Sequence, residues 1–198
     1  MAGAWTTKTV LDGTGAALTI RVWDVDGAGT SGYEFGHVLD SNAYSVAASL
    51  TRTADTNAYT ANDVIGAATG STAALTFANM GPSGAVIMIT CAQLEIDVSA
   101  APSGMTSFRL HLYNVTPPSA LGDNAAWDLP SGDRASYLGY IELGAPVDLG
   151  STLYVESLGI NKQIKLSGTS LFGYLVTIGA YTPSSAAVKK ITLHAVMV

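Results

Sequence analysis

Cysteine is nearly missing. Cys91 is the single one in 198 residues, so no internal disulfide framework can exist. Charge is scarce as well: Asp, Glu, Lys and Arg make up 12% of the chain, about half the share of an ordinary domain. Basic residues are the scarcer sign, 9 against 15 acidic, and Lys189-Lys190 is their only adjacent pair. The electrostatic footprint for gripping a phosphate backbone is absent, and no nucleic-acid partner is expected. Long apolar runs are lacking too. The longest largely apolar stretch, Ala85 to Ala92, is far short of the ~20 residues that span a bilayer. Met1-Ala-Gly-Ala-Trp5 has no basic segment leading into an apolar one, so no signal peptide is expected. Neither is a membrane partner.

What is present is apolar and small. Residues of the hydrophobic class make up 48% of the chain, too many for a disordered acidic polymer. With so little charge to keep copies apart, burial of surface against neighbours is expected.

Apolar and polar residues alternate with a period of two, the mark of half-buried strands. Leu18, Ile20 and Val22 alternate with Thr19, Arg21 and Trp23. The same pattern runs through Ala92–Val98, Phe108–Tyr113 and Lys190–Ala195, where His111 and His194 fall on the wetter faces. Ala85–Cys91 and Leu171–Ile178 are apolar on both faces and predict central strands. Further strands are predicted at Ala43–Thr51, Ala73–Ala78, Tyr137–Leu143, Thr152–Leu158 and Gln163–Leu166. Turns such as Gly81-Pro-Ser-Gly84, Pro102-Ser-Gly104 and Pro130-Ser-Gly132 separate them. Only Thr60–Ile65 and Asn124–Trp127 suit a turn of helix. The expected fold is all-β: an antiparallel, jelly-roll-like sandwich of eight strands over residues 55–198. Residues 1–54 hold two or three short β segments, too little to bury a core alone. They are expected to form an arm or extension.

Each candidate chemistry has a simpler structural explanation. Gly27-Ala-Gly-Thr-Ser-Gly32 matches the dinucleotide-binding glycine pattern, but the mechanism needs a helix immediately after it. Tyr33-Glu-Phe-Gly-His37 has no helical period, so a glycine-rich β connection is expected and no cofactor. Asp24 and Asp26 flank that loop, and Asp123, Asn124, Asp128 and Asp133 crowd another. Neither group has the fixed offsets of a calcium loop, and turn formation explains them. His37, His111 and His194 lack metal-ligand spacing, so no metal site is expected. Cys91, among apolar neighbours, suits a small buried hydrophobe. No G-x-S-x-G elbow occurs, and Glu95, Asp97, Glu142 and Glu156 suit solvated strand faces. No catalytic residue is expected and the chain is read as a non-enzyme. Carbohydrate binding is the more serious rival: Trp127 beside Asp123, Asn124 and Asp128 has the flavour of a sandwich lectin loop. Trp127 equally suits anchoring that loop to the core or to a neighbouring subunit.

Several stretches resemble virion structural proteins of tailed bacteriophages. They include Ala58-Tyr-Thr-Ala-Asn-Asp-Val-Ile-Gly66, Phe108-Arg-Leu-His-Leu-Tyr113, Asp123-Asn-Ala-Ala-Trp-Asp128 and Phe172-Gly-Tyr-Leu-Val176. At the N-terminus Lys8–Gly13, Ile20-Arg-Val-Trp-Asp24 and Gly36-His-Val-Leu-Asp40 belong with them. The resemblance implies a virion component made in the host cytoplasm, most like a jelly-roll capsid decoration (cement) protein on the capsid surface. Its implied partners are its own copies, as a homotrimer, and the major capsid protein. The arm would be the tether, with Trp5, Trp23, Tyr33 and Phe35 as interface anchors. The alternative is a tail or fibre-associated module that holds a host glycan on Trp127, Asp128, Asp123 and Asn124. The resemblance carries no catalytic motif.

Overall fold

The computed structural model describes residues 4–11, 17–24, 33–35, 43–67 and 73–198, in two units, Met1–Ser41 and Asn42–Val198. In the first unit β1 (Ala4–Leu11), β2 (Ala17–Asp24) and β3 (Tyr33–Phe35) form one antiparallel sheet in that order.

The second unit contains β4 (Ala43–Thr51), β5 (Val64–Ile65), β6 (Leu75–Phe77), β7 (Val86–Ile96), β8 (Phe108–Tyr113), β9 (Tyr137–Leu143), β10 (Val147–Asp148), β11 (Leu153–Lys165), β12 (Leu171–Thr177) and β13 (Val188–Met197). One sheet runs β10-β11-β7-β13-β4 and the other β5-β12-β8-β9, with β6 also on β12. Neighbouring strands pair antiparallel. No described residue is helical, so the fold is the expected antiparallel β-sandwich of jelly-roll type. Inward residues such as Ile89, Leu94 and Leu193 meet Phe108, Leu110 and Leu175 in one continuous core. Removing that area from water is the main drive for closing the two sheets.

The sequence boundary near residue 54 and the structural division differ. β4 lies ahead of that boundary, yet it pairs with β13 from Ala43↔Val196 to Thr51↔Val188. Its even positions, Ala48 and Leu50, enter the main core. A strand with one apolar face is stable only where another layer covers that face, so β4 belongs to the sandwich.

Two pairs of expected strands fuse. Ala85–Cys91 and Ala92–Val98 are halves of β7, whose buried residues switch from odd (Ile87, Ile89) to even (Ala92, Leu94, Ile96). Against β13 the register passes from His194↔Cys91 to Ala195↔Ile89, so Thr90 is the extra residue of a bulge. The two-faced apolar look of this stretch is that phase change, not burial on both faces. Likewise β11 joins Thr152–Leu158 to Gln163–Leu166 across an irregularity between Leu158 and Lys162. The Pro-Ser-Gly turns close as expected. Ala85, Met105 and Asp133 donate backbone N–H bonds to Pro82, Pro102 and Pro130 at 3.1, 3.1 and 3.0 Å.

Candidate functional site

β8 and β12 turn a second set of side chains away from the main core, and residues 114–136 lie over that face. Tyr113, Tyr174, Val176 and Val64 form a separate buried cluster there, against which Leu121, Trp127 and Leu129 pack. This corrects the wetter face expected for His111, which is only 2% exposed. Alternation marks which face a side chain takes, not what covers it. Trp127 stacks on His111 with ring centroids 3.7 Å apart. A 2.9 Å hydrogen bond joins His111 Nδ1 to the Tyr137 hydroxyl. Burial, and secondarily the Arg109 charge, lower the His111 pKa to about 3, so the imidazole is neutral.

Neither stretch that suited a helical turn is helical: each passes from a turn at an asparagine into β pairing, with Asp63 bridged to Ala126. Val64 N donates to Ala125 O at 2.8 Å, Asn124 N to Val64 O at 3.0 Å and Trp127 N to Asn62 O at 2.9 Å. Asn62 and Asn124 take positive φ, 68° and 60°, as asparagine tolerates. Further along, Asp133 accepts from Ser119 N at 3.2 Å and Ser119 Oγ at 3.0 Å.

The four residues of the expected ligand surface therefore have different surroundings. The Asp123 side chain is buried as a fastener: Oδ1 accepts from the Tyr59 hydroxyl at 2.6 Å and Gly66 N at 2.9 Å. Its Oδ2 is 3.6 Å from Arg52 Nη2. Asn124 Nδ2 donates to Ala58 O at 3.3 Å, Trp127 is half-buried on His111, and Asp128 is exposed.

Sequence reasoning missed the charges at this end of the core. Arg52, 2% exposed, donates from Nε to the Tyr59 hydroxyl at 2.8 Å, from Nη1 to Asp55 O at 2.5 Å and from Nη2 to Asn57 O at 3.0 Å. Nη2 also pairs with Asp55 Oδ1 at 2.8 Å. Burial works against its charge, and the contacts with Tyr59 and Asp55 outweigh it. Burial, then the Asp123 charge, raise the Tyr59 pKa. Lys189 is 1% exposed; burial and the Arg52 charge lower its pKa to about 8. A signal existed. Arg52 continues the inward series Ala48, Leu50, and Lys189 the inward series Ile191, Leu193, Ala195.

The expected anchors in the first unit have defined register positions. Trp5 is the Cα partner of Trp23. Tyr33 and Phe35 partner Asp24 and Val22, on either side of Trp23. The Gly27–Gly32 stretch, Asp26 and His37 lie outside the described residues. The strands before and after that glycine stretch pair antiparallel, unlike the parallel strands of a dinucleotide-binding unit.

Among the described residues no three His, Cys, Asp or Glu side chains gather as a metal set would. The strand carboxylates have surface partners: Glu95 with Lys190 at 3.0 Å, Glu142 with Arg109 at 2.6 Å and Glu156 with Gln93 at 3.1 Å. Cys91 is half-buried rather than buried, because the Thr90 bulge leaves it outside the inward series. Partial burial, then the Glu156 charge, raise its thiol pKa, which disfavours the reactive thiolate.

No protein-family model and no curated protein sequence matches the chain. Among solved structures it is similar to the CBM22-1–GH10 modules of Clostridium thermocellum endo-1,4-β-D-xylanase 10B, solved with xylohexaose. That likeness has 8% identity and a TM-score of 0.30, and covers 77% of this chain and 26% of the xylanase chain. The chain thus spans about a quarter of that protein's length. It is also similar to a chain of the native Kashmir bee virus virion. At acidic pH the identity is 12%, the TM-score 0.27, and the coverage 100% of this chain and 92% of the other. At neutral pH the corresponding values are 14%, 0.27, 100% and 89%.

Proposed function

We propose that the chain is a structural protein of a tailed-bacteriophage virion: a capsid decoration protein that binds the outer surface of the major capsid shell and stabilises the head. The observation that carries this reading is the sequence resemblance, which runs through both units. The architecture suits it. A three-stranded sheet in Met1–Ser41 needs another layer over any apolar face it carries, and a capsid surface would supply one. Trp5, Trp23, Tyr33 and Phe35 are the proposed anchors, since large aromatics dominate interface energetics.

The mechanism is burial rather than chemistry. At ~25 cal/mol per Å² of apolar area removed from water, contacts repeated over a shell add up to a clamp against internal pressure. A glycan-binding tail module is the less favoured reading, because Asp123 is spent on Tyr59 and Gly66 and one face of Trp127 lies on His111.

Copy number on purified particles tests the proposal. Hundreds of copies per particle are expected, together with heads that rupture at lower temperature when the protein is removed. A handful of copies per particle would overturn it. Trp5→Ala with Trp23→Ala is expected to release the protein from heads without lowering the melting temperature of the sandwich.

A further inference from the structure

The open edge of the sandwich is built differently from the rest of its surface. Among the described residues β9 ends one sheet and pairs only with β8. On the other sheet β10 covers only Leu153 and Tyr154 of β11, so among the described residues most of that flank of β11 has no strand paired with it, and Ser157 Oγ reaches across to donate to Glu142 O of β9 at 3.1 Å. Between the two lies an open groove of about 590 Å³ lined by Tyr140, Glu142, Ser157, Leu158, Ile160 and Lys162. Six large apolar side chains are exposed among the described residues, and four lie on β9, β10, β11 or the turn between them: Tyr140 (47%), Val147 (61%), Leu149 (64%) and Leu158 (71%). Exposed edges that carry apolar side chains are templates for association.

The groove also carries both signs of charge. Arg109 donates both of its bonds to Oε1 of Glu142, at 3.0 and 2.6 Å, and the Glu142 side chain is exposed. The Lys162 side chain lies over Gly139 of β9 and makes no ion pair among the described residues. A surface that meets its own copy across a twofold axis sets residue i against j and j against i. Glu142 and Lys162 in one groove satisfy that condition, whereas a partner of one sign would leave one of them opposed by like charge.

We infer that this β9–β11 edge docks a second copy of the chain across a twofold axis, with Leu158 and Tyr140 at the centre and Glu142 of each copy against Lys162 of the other. This pairing does not rest on the virion reading: particle copy number tests that reading, and mass in solution tests this one.

The experiment is sedimentation equilibrium of the full chain from micromolar to hundreds of micromolar, with a zero-length carbodiimide crosslink between isotopically distinct copies. A concentration-dependent doubling of mass and a Glu142–Lys162 crosslink joining light to heavy chains are expected. Leu158→Asp is expected to weaken pairing by at least tenfold while its thermal unfolding stays that of the parent. Lys162→Glu and Glu142→Lys are each expected to weaken self-pairing, and their mixture to recover it as a heterodimer. A monomer at every concentration would overturn the inference, as would a dimer indifferent to these substitutions. A closed trimer would also overturn it, since a twofold contact cannot generate one.

Discussion

Trp127 lies flat on His111, with ring centroids 3.7 Å apart and the planes 25° from parallel. The contact fastens residues 114–136 to the outer face of β8. Tyr137 and Tyr140 flank the same imidazole at 5.9 and 5.6 Å, and Arg109 sits 4.5 Å over the Tyr140 ring. An imidazole enclosed by three aromatic rings with a cation nearby is a poor place for a second positive charge.

Acid should therefore loosen this face. The folded pKa of His111 is about 3, below the ~6.5 of an unfolded chain. Between these values the unfolded state binds more protons, so stability falls as pH drops from 6.5 toward 3 and is unaffected by this group above 6.5. The loss should be on the order of 3 kcal/mol. Urea unfolding of the parent and His111→Phe at pH 7 and pH 4 checks it. The parent should lose more on acidification than the variant; a gap between them that does not change with pH would rule out the titration.

Asp123 and Asp128 are five residues apart on one loop and should respond very differently. Asp123→Ala leaves the Tyr59 hydroxyl and Gly66 N without their acceptor and removes a negative charge beside Arg52. A loss of about 3 kcal/mol is expected. Asp128 is exposed, and Asp128→Ala should stay within about 0.5 kcal/mol of the parent. Chemical denaturation of the two variants is the measurement, and equal losses would refute the assignment of Asp123 as the fastener.

The strands were legible because their period is local. Leu110 and Leu193 enter the core where alternation puts them, and the Pro-Ser-Gly turns close where their chemistry requires. The covering of β8 was not legible. Nothing local to His111 reveals that Trp127, sixteen positions on, will fold back over it. The Thr90 bulge was hidden too, because one inserted residue makes two clean alternations look like one apolar run. Arg52 and Lys189 stood in the inward series, but a long cationic side chain there is ordinarily assigned to the surface, since burying it needs partners that only the tertiary fold supplies.

Two glycines of the same turn chemistry should separate backbone need from mere occupancy. Gly104 has φ of +87°, and a Cβ there would lie 2.2 Å from the Ala180 carbonyl oxygen. Gly104→Ala should cost more than about 2 kcal/mol, from steric clash and a disfavoured φ. Gly132 has nothing within 4 Å of the same position, and Gly132→Ala should be neutral or gain a few tenths of a kcal/mol through the unfolded chain. Melting temperatures of the pair decide it. An unaffected Gly104→Ala protein would mean that the 102–105 turn has freedom to move away from Ala180.

Lys189 offers a substitution that should strengthen the protein. Its side chain is 1% exposed on the inward face of β13, where burial and the nearby Arg52 charge both oppose its own charge. Its folded pKa of about 8 lies below the ~10.4 of an unfolded lysine. Between these values the unfolded chain holds more protons, so parent stability should rise with pH from 8 to 10.4 and be flat with respect to this group below 8. Lys189→Met keeps an unbranched apolar stem and removes the amine. At pH 7 it should gain about 1–3 kcal/mol, and the advantage should shrink by pH 10 as the parent lysine sheds its proton. Unfolding free energies of both proteins across pH 7 to 10 measure this directly. A destabilised Lys189→Met at pH 7 would mean that the ammonium is held by favourable contacts that outweigh its desolvation, with Asp123, the one group that raises its pKa, as the place to look.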